Sequence, residues 1–380
     1  MKDGWQKQSI DAICDVVNGG TPKTGIAEYW GGEQLWITPA EMGKRSTPYV
    51  SETERTLTEL GLANSSAHSL PPYSVILSSR APIGHLVINT EPMATNQGCK
   101  GLVPGKGVDH KFLYYYLGSI VELLNALGTG ATFKELSGSR LKEVTVPVPP
   151  LLEQQRIVGI LDEAFEGIAT AKVNAEKNLQ NASALFESHL QSIFAQRREG
   201  WVEKTIDQIS TNLDSKRIPI TKSDRKSGEY PYYGASGIID YVADYIFDGD
   251  TLLVSEDGAN LLARSTPIAF SVSGKYWVNN HAHILKFENM ATQRFVEFYL
   301  ESIKLDEYIT GAAQPKLNQK ALNSIPIPIP TSVEAQATIV ENIELLQEQT
   351  QRLEAIYQQK LTALEALKKS LLNQAFTGEL

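Results

Sequence analysis

The chain has 380 residues, with 35 Lys and Arg against 44 Asp and Glu for a net charge of −9. That length exceeds what one core fills, so two or three domains are expected. Apolar content of 42% and charged content of 21% exclude bulk disorder. No apolar run reaches the ~20 residues of a membrane span, and Met1–Trp5 lacks the apolar stretch of a signal peptide. Two cysteines, Cys14 and Cys99, exclude a disulfide framework or a cysteine-only metal site. These features predict a cytoplasmic protein with reduced thiols. The acidic balance, taken alone, argues against a nucleic-acid partner.

Residues 1–150 open on Gly4-Trp5 and a short helix-like stretch ending near Ile10. Short β-branched runs between turn residues follow, such as Tyr73–Ser78, and read as strands. Lys111–Leu127 carries helical spacing, and Val144-Thr-Val-Pro-Val-Pro-Pro150 closes the segment. This is an α+β module. Residues 151–199 hold no Gly or Pro before Gly200 except Gly159 and Gly167, and they read as one long helix. Ile157, Leu161, Ala164, Ile168, Ala171 and Ala175 keep a 4-3 rhythm. It slips once before Leu179, Ala182, Phe186, Leu190 and Ile193. Residues 200–331 form a second α+β module, opening on Gly200-Trp201 and closing on Ile325-Pro-Ile-Pro-Ile-Pro330, with a strand at Asp250–Ser255 and helical spacing over Thr292–Tyr308. Residues 332–380 form a second long helix. Its heptad track is Ile343, Leu346, Leu353, Tyr357, Leu364, Leu367 and Leu371. A capping box at Thr331-x-x-Glu334, prolines at 149 and 150, and Gly200 and Gly378 mark the helix ends. With ~45 residues each, the helices are ~65–70 Å long.

The two halves repeat one another. Glu153-Gln-Gln155 and Ile157-Val158 recur as Glu334-Ala-Gln336 and Ile339-Val340, and Ala184-Leu185, Ser188 and Phe194 recur as Ala366-Leu367, Ser370 and Phe376. A sustained heptad needs a partner helix, and the repeat supplies one. The expected architecture is two globular α/β modules separated by two long antiparallel coiled-coil helices, related by a pseudo-two-fold. The competing reading is a coiled-coil spacer between unrelated domains, which leaves the shared opening and closing residues unexplained. Helix pairing or partner contact is expected from Glu153, Gln155, Ile157, Leu161, Ile168, Phe194, Glu334, Gln336, Ile343, Leu346, Leu353, Leu364, Leu371 and Phe376.

Catalytic motifs are missing: there is no phosphate-cradling Gly-rich loop and no nucleophile elbow. Leu70-Pro-Pro-Tyr73 resembles an adenine-methyltransferase motif, but leucine cannot accept from the adenine amine, so a turn is expected there. His281-Ala-His283 is the best metal candidate, with Asp250, Glu256 and Asp257 upstream. Amides, hydroxyls and cations in loops suit base-edge readout. The candidates are Thr21, Lys23, Thr38, Arg80, Asn96, Gln97 and Lys100 in the first module. In the second they are Tyr233, Ser236, Asn260, Arg264, Asn280, His281 and Lys316.

With these stretches assembled, the chain resembles the specificity subunit of type I restriction–modification systems. The resemblance rests on Gly20-Thr-Pro22, Tyr29-Trp-Gly31, Trp36-Ile-Thr38, Asn96-Gln-Gly98, Val146–Val158, Asn280-His-Ala-His283, Gln314-Pro-Lys-Leu-Asn318 and the ending Ser370–Leu380. It implies two target-recognition domains (1–150 and 200–331) that each read half of a split, asymmetric double-stranded DNA site. The helical segments 151–199 and 332–380 would act as a ruler and dock two modification subunits. It implies no catalysis and no cofactor in this chain. S-adenosylmethionine would sit on the modification subunits, and ATP and Mg on motor-nuclease restriction subunits; no membrane is involved. One departure is that the Arg156 following Gln155 has no counterpart after Gln336, so the two ends of an assembly would differ. Alternatives are a metal-dependent nuclease using Asp250, Glu256 and His281, or a non-DNA scaffold holding two protein-binding modules. The charge divides unevenly. Residues 1–150 carry 13 basic and 14 acidic groups, and 200–331 carry 13 and 16. The helical segments carry 5 against 7 and 4 against 7, more than half of the −9.

Overall fold

A computed structural model describes residues 4–130, 134–196, 199–311 and 314–380. Of the sequence features above, the N-terminal Met1–Asp3 lies outside the described residues. The chain forms two compact units, one of residues up to 174 together with 360–380, the other of residues 175–359.

In the first unit, β1 (Gln6–Ser9) runs antiparallel to the Pro-rich β10 (Thr145–Val148), with Gln6 opposite Val148. The chain therefore enters and leaves the module side by side. Between them, α1 (Ile10–Ile13) leads to a five-stranded sheet ordered β2 (Cys14–Asn18), β9 (Cys99–Pro104), β6 (Val75–Ser79), β7 (Ile83–Asn89) and β4 (Tyr49–Val50). A three-stranded sheet holds β3 (Trp30–Ile37) between β5 (Arg55–Leu57) and β8 (Met93–Thr95). Short helices α2 (Pro39–Met42) and α3 (Glu59–Ala63) sit in the connections. The helical stretch expected over Lys111–Leu127 is two helices, α4 (His110–Ser119) and α5 (Val121–Leu127). Gly118, Ser119 and β-branched Ile120 are weak helix formers at the break. After α6 (Gly138–Glu143) comes α7 (Leu151–Ala195). Ile157 and Leu161 of α7 enter the core with Val75, Leu77, Leu102, Phe112 and Leu117, as does Ala375. The Phe376 ring meets Phe112 and Tyr116 edge-on at 5.2 and 5.1 Å.

The second unit repeats this plan. Strand β11 (Trp201–Thr205) pairs antiparallel with β20 (Pro326–Pro330), and α8 (Ile206–Ile209) follows as α1 does. One sheet is ordered β12 (Thr211–Asn212), β19 (Ala282–Lys286), β16 (Thr251–Ser255), β17 (Ala269–Val272). The other is β14 (Gly237–Val242), β13 (Ser227–Gly234), β18 (Lys275–Val278), β15 (Phe247–Asp248). Helices α9 (Asn260–Ala263), α10 (Met290–Ser302) and α11 (Gln319–Asn323) precede α12 (Val333–Thr377). Leu190 and Phe194 of α7 share a core with Val340 and Ile343 of α12. Phe194 packs against Phe295 and Tyr299 at 5.2 and 5.3 Å.

The long helices run antiparallel within each unit. Lys172 reaches Glu365 at 2.7 Å in the first, and Ser183 Oγ donates to Glu354 at 2.5 Å in the second. On α7 every expected inward position, from Ile157 through Ala175 and on to Ile193, is buried or half-buried. On α12 the expectation fails in part. Leu353 and Leu367 are 41% and 47% exposed, and the inward track after buried Thr350 runs through Glu354, Tyr357, Leu361 and Leu364. The seam keeps Tyr357, Leu364 and Leu371 of the heptad track and steps one residue later only at Glu354 and Leu361, since 3.6 residues per turn fits a strict 3.5 repeat unevenly. Two cap assignments also change. Ser332, not Thr331, caps α12 by accepting from Ala335 N, while Thr331 N donates to Gly200 O. Helix α7 ends at Ala195, so Gly200 (φ +83) is not its cap; it matches Gly4 (φ +85) before the module's tryptophan. Gly378 (φ +86) does follow α12. Among the described residues, no helix is long and apolar enough to cross a membrane.

Candidate nucleic-acid interface

The strand registers bring the two modules into one-to-one correspondence. Leu77 lies opposite Lys100, and Val254 lies opposite His283. The loops beyond these strands are held by the same backbone bonds. In the first module Ser79 N donates to Gly98 O, Gly98 N to Asn96 Oδ1, and Leu136 N to Ser79 O, with Thr129 and Glu135 exchanging a pair. In the second, Glu256 N donates to His281 O, His281 N to Asn279 Oδ1, and Leu317 N to Glu256 O, with Thr310 and Lys316 exchanging a pair. Asn96 therefore corresponds to Asn279, Gln97 to Asn280, Gly98 to His281 and Lys100 to His283. Likewise Arg80 corresponds to Asp257 and Glu135 to Lys316. The Ser255 hydroxyl donates to Ala235 O, and Asn279 N donates to Tyr233 O, bringing the β13–β14 turn to the same loops.

Several expected DNA-binding side chains turn out to build these loops. Asn96 Nδ2 donates to Thr21 Oγ1 at 2.9 Å, and Thr38 caps α2 by accepting from Glu41 N. Lys100 is 7% exposed, and burial pulls its ammonium below the usual lysine range. Tyr233 packs on Phe270 and Tyr276, and burial pushes its phenol up. Asn260 braces its own loop through the backbone of Thr266. Arg264 has left-handed φ of +51 and donates to the Leu300 and Ile303 carbonyls, capping α10. Lys23, Gln97, Ser236, Asn280, His281 and Lys316 are exposed at the loop tips, with Arg80 half-exposed among them.

Behind the second module's loops lies a buried ionic cluster. His283 Nδ1 is 2.5 Å from Asp214 Oδ2, and its Nε2 is 2.7 Å from the Leu317 carbonyl. Burial would raise the Asp214 carboxyl, but the bonds from His283 and the Ile284 N–H and the Arg217 charge hold it below its ordinary 3.8. Arg217 Nη1 is 2.6 Å from Glu256 Oε2, and Lys316 Nζ is 3.1 Å from Glu256 Oε1. Burial would likewise raise Glu256, yet those two cations hold it low.

Asp214, Glu256 and His283 could geometrically surround an ion. Both His283 nitrogens and both Glu256 oxygens are already engaged, so the trio is an internal salt cluster. Asp250 and His281 do not join Glu256 in any metal-sized group among the described residues; His281 instead faces Asp257 at 2.9 Å. Burial pushes the thiols of Cys14 and Cys99 up to about 12, so neither is a nucleophile. The sequence reading missed Asp214 and Arg217. Counting from Trp201 as Asn18 and Thr21 are counted from Trp5 places both at matching positions.

The expected pairing residues divide as well. The buried glutamine of α7 is Gln154, which accepts from Asp109 N and donates to the Gly107 and Pro149 carbonyls. Its counterpart Gln336 donates to Pro330 O and accepts from Thr292 Oγ1. Gln155 is exposed; one extra residue before α12 shifts the motif by a position. Glu153 pairs with Arg156, whose guanidinium also donates to Leu380 O. Glu334 is exposed and accepts from Ser332 Oγ.

Comparisons with known proteins agree with this geometry. The type I restriction modification DNA specificity domain matches residues 2–180 and again 198–364. The type I restriction enzyme MjaIX specificity subunit of Methanocaldococcus jannaschii is 29% identical over 319 residues, covering 80% of this chain and 73% of that one. The EcoprrI specificity subunit of Escherichia coli is 24% identical over 358 residues, covering 89% and 87%. A solved chain described with complex assembly and conformational transition of the type I R-M system has a TM-score of 0.81 at 15% identity, covering 100% and 99%. The crystal structure of the HsdS subunit from Thermoanaerobacter tengcongensis gives 0.65 at 14% identity, covering 100% and 98%; both likenesses are of fold. With two matched domains spanning most of its length, the chain belongs to the type I restriction–modification DNA specificity family, whose specificity subunits recognise DNA and are not the catalytic subunits.

Proposed function

We propose that each module reads one half of a split, asymmetric DNA sequence, and that the paired helices set the spacer between the halves. The observation that carries this is the shared loop frame: identical backbone bonds present Gly98, Arg80 and Glu135 in one module and His281, Asp257 and Lys316 in the other. One frame with different side chains is what two readers of unlike half-sites require. The helices would dock two modification subunits carrying S-adenosylmethionine, which methylate adenine after flipping it from the stack. Motor-nuclease subunits using ATP and Mg would join for cleavage, in the cytoplasm. The near-neutral modules supply little phosphate attraction, so tight binding would depend on those partners. Glu256, held by Arg217 and Lys316, disfavours the nuclease alternative.

The test is to express the chain with its modification subunit in cells lacking N6-methyladenine and to map methylated sites. A bipartite motif is expected, and replacing residues 1–150 with a homologous module should change one half only. Loss of both halves with a folded complex would contradict independent modules.

A further inference from the structure

The loop frame contains one side-chain slot that the two modules fill with opposite hydrogen-bonding polarity. In the first module the slot belongs to Gly98. A Cβ there would lie 3.2 Å from Cγ and Nε of Arg80 and from Asn96 Oδ1, so the arginine borders the space where a side chain would begin. In the second module the corresponding residue, His281, is the side chain, and the position of Arg80 is taken by Asp257.

Both Asp257 carboxylate oxygens stand 2.9 Å from His281 Nδ1. A carboxylate only accepts, so Nδ1 carries a hydrogen toward Asp257, and in the singly protonated ring the acceptor lone pair is left on Nε2. A guanidinium only donates. The Arg80 side chain is 35% exposed and its ion pair with Glu135 is long, at 3.6 Å. The His281 side chain is 48% exposed. Both tips therefore remain available at the same place on the same frame.

We infer that this slot is a specificity-determining position in each module. Arg80 reads guanine through O6 and N7, while His281 Nε2 accepts from an exocyclic amine, adenine N6 or cytosine N4. Asp257 is a positioning residue that fixes the tautomer. The inference rests on the proposed reading of DNA by both modules, and it explains why the two half-sites would differ at this point.

The experiment maps methylated motifs for the full chain, co-expressed with its modification subunit, as wild type, His281→Ala, His281→Gln, Asp257→Asn and Arg80→Ala. His281→Ala should relax a single A- or C-containing position in one half-site, with discrimination falling about tenfold. The base specified there in the wild type tells which amine is read. His281→Gln keeps an acceptor and should retain the base, whereas Asp257→Asn frees the tautomer and should relax that position alone. Arg80→Ala should relax a guanine in the other half-site. Loss of methylation in His281→Ala with the wild-type motif kept in His281→Gln would also support an essential acceptor. An unchanged motif in His281→Ala overturns the inference. So does equal relaxation or loss in both His281 variants, or relaxation of the same half-site by Arg80→Ala and His281→Ala. A wild type without any bipartite motif is a different failure, that of the underlying reading.

Discussion

His283 binds Asp214 through Nδ1 and the Leu317 carbonyl through Nε2, with only 1% of its side chain exposed. Each ring nitrogen faces an acceptor, so the imidazole bridges the carboxylate and the carbonyl inside the module. It ties the loop bearing Lys316 to the centre of the sheet. His283→Ala takes from buried Asp214 its 2.5 Å partner and leaves the Arg217 guanidinium at 3.5 Å, and removing one partner of such a buried pair costs about 3–5 kcal/mol. Urea unfolding of the full chain should show the loss in the transition that reports the second module.

Asp214 gives the same cluster an acid-side signature. Its folded carboxyl titrates below its ordinary 3.8. A depressed carboxyl contributes stability above the unfolded value, lost as pH falls through the folded one. Stability measured from pH 6 downward should therefore fall below about pH 4, and Asp214→Asn should flatten that limb while lowering stability at pH 6. An unchanged slope would place the acid sensitivity elsewhere.

Gln154 and Gln155 separate a structural glutamine from an exposed one. Gln154→Ala orphans the Asp109 N–H and two carbonyls, each worth about 1–3 kcal/mol when buried and unmatched. Gln155→Ala should stay within about 0.5 kcal/mol of wild type. Thermal melts of the two variants give the comparison directly.

Arg264 should behave as a helix cap. Arg264→Ala removes charge-assisted bonds to the Leu300 and Ile303 carbonyls, worth about 1.5–3 kcal/mol. The methylated motif should be unchanged. A variant that keeps full stability but alters one base pair would return Arg264 to the DNA.

The frame of this fold is legible in the sequence because it is written twice. Gly-Trp, the Pro-rich strand and the inward positions of α7 are short-range signals of turn chemistry and period, and the structure places each where its pattern points. What resists reading is register. Leu353 lies on the heptad by counting yet is largely exposed, because the inward position between Thr350 and Tyr357 falls at Glu354. The Gln155 match to Gln336 fails by one residue for a comparable reason, since an insertion before α12 leaves no trace in the motif. Arg264 and Asn260 have the composition of a DNA-reading loop and serve the loop itself. Only the tertiary partner, a helix end or a neighbouring backbone, tells a brace from a reader.

The alternation Pro326-Ile-Pro-Ile-Pro330 has a consequence for the company the molecule keeps. Paired along its length with Trp201–Thr205, β20 needs N–H donors only at Ile327 and Ile329, whose side chains are buried. The prolines take the alternate positions, whose N–H would face the free edge, and so leave that edge without donors. A third strand would meet only acceptors along that edge of the two-stranded ribbon. A crowded solution of such chains is thereby denied an easy template for edge-to-edge aggregation.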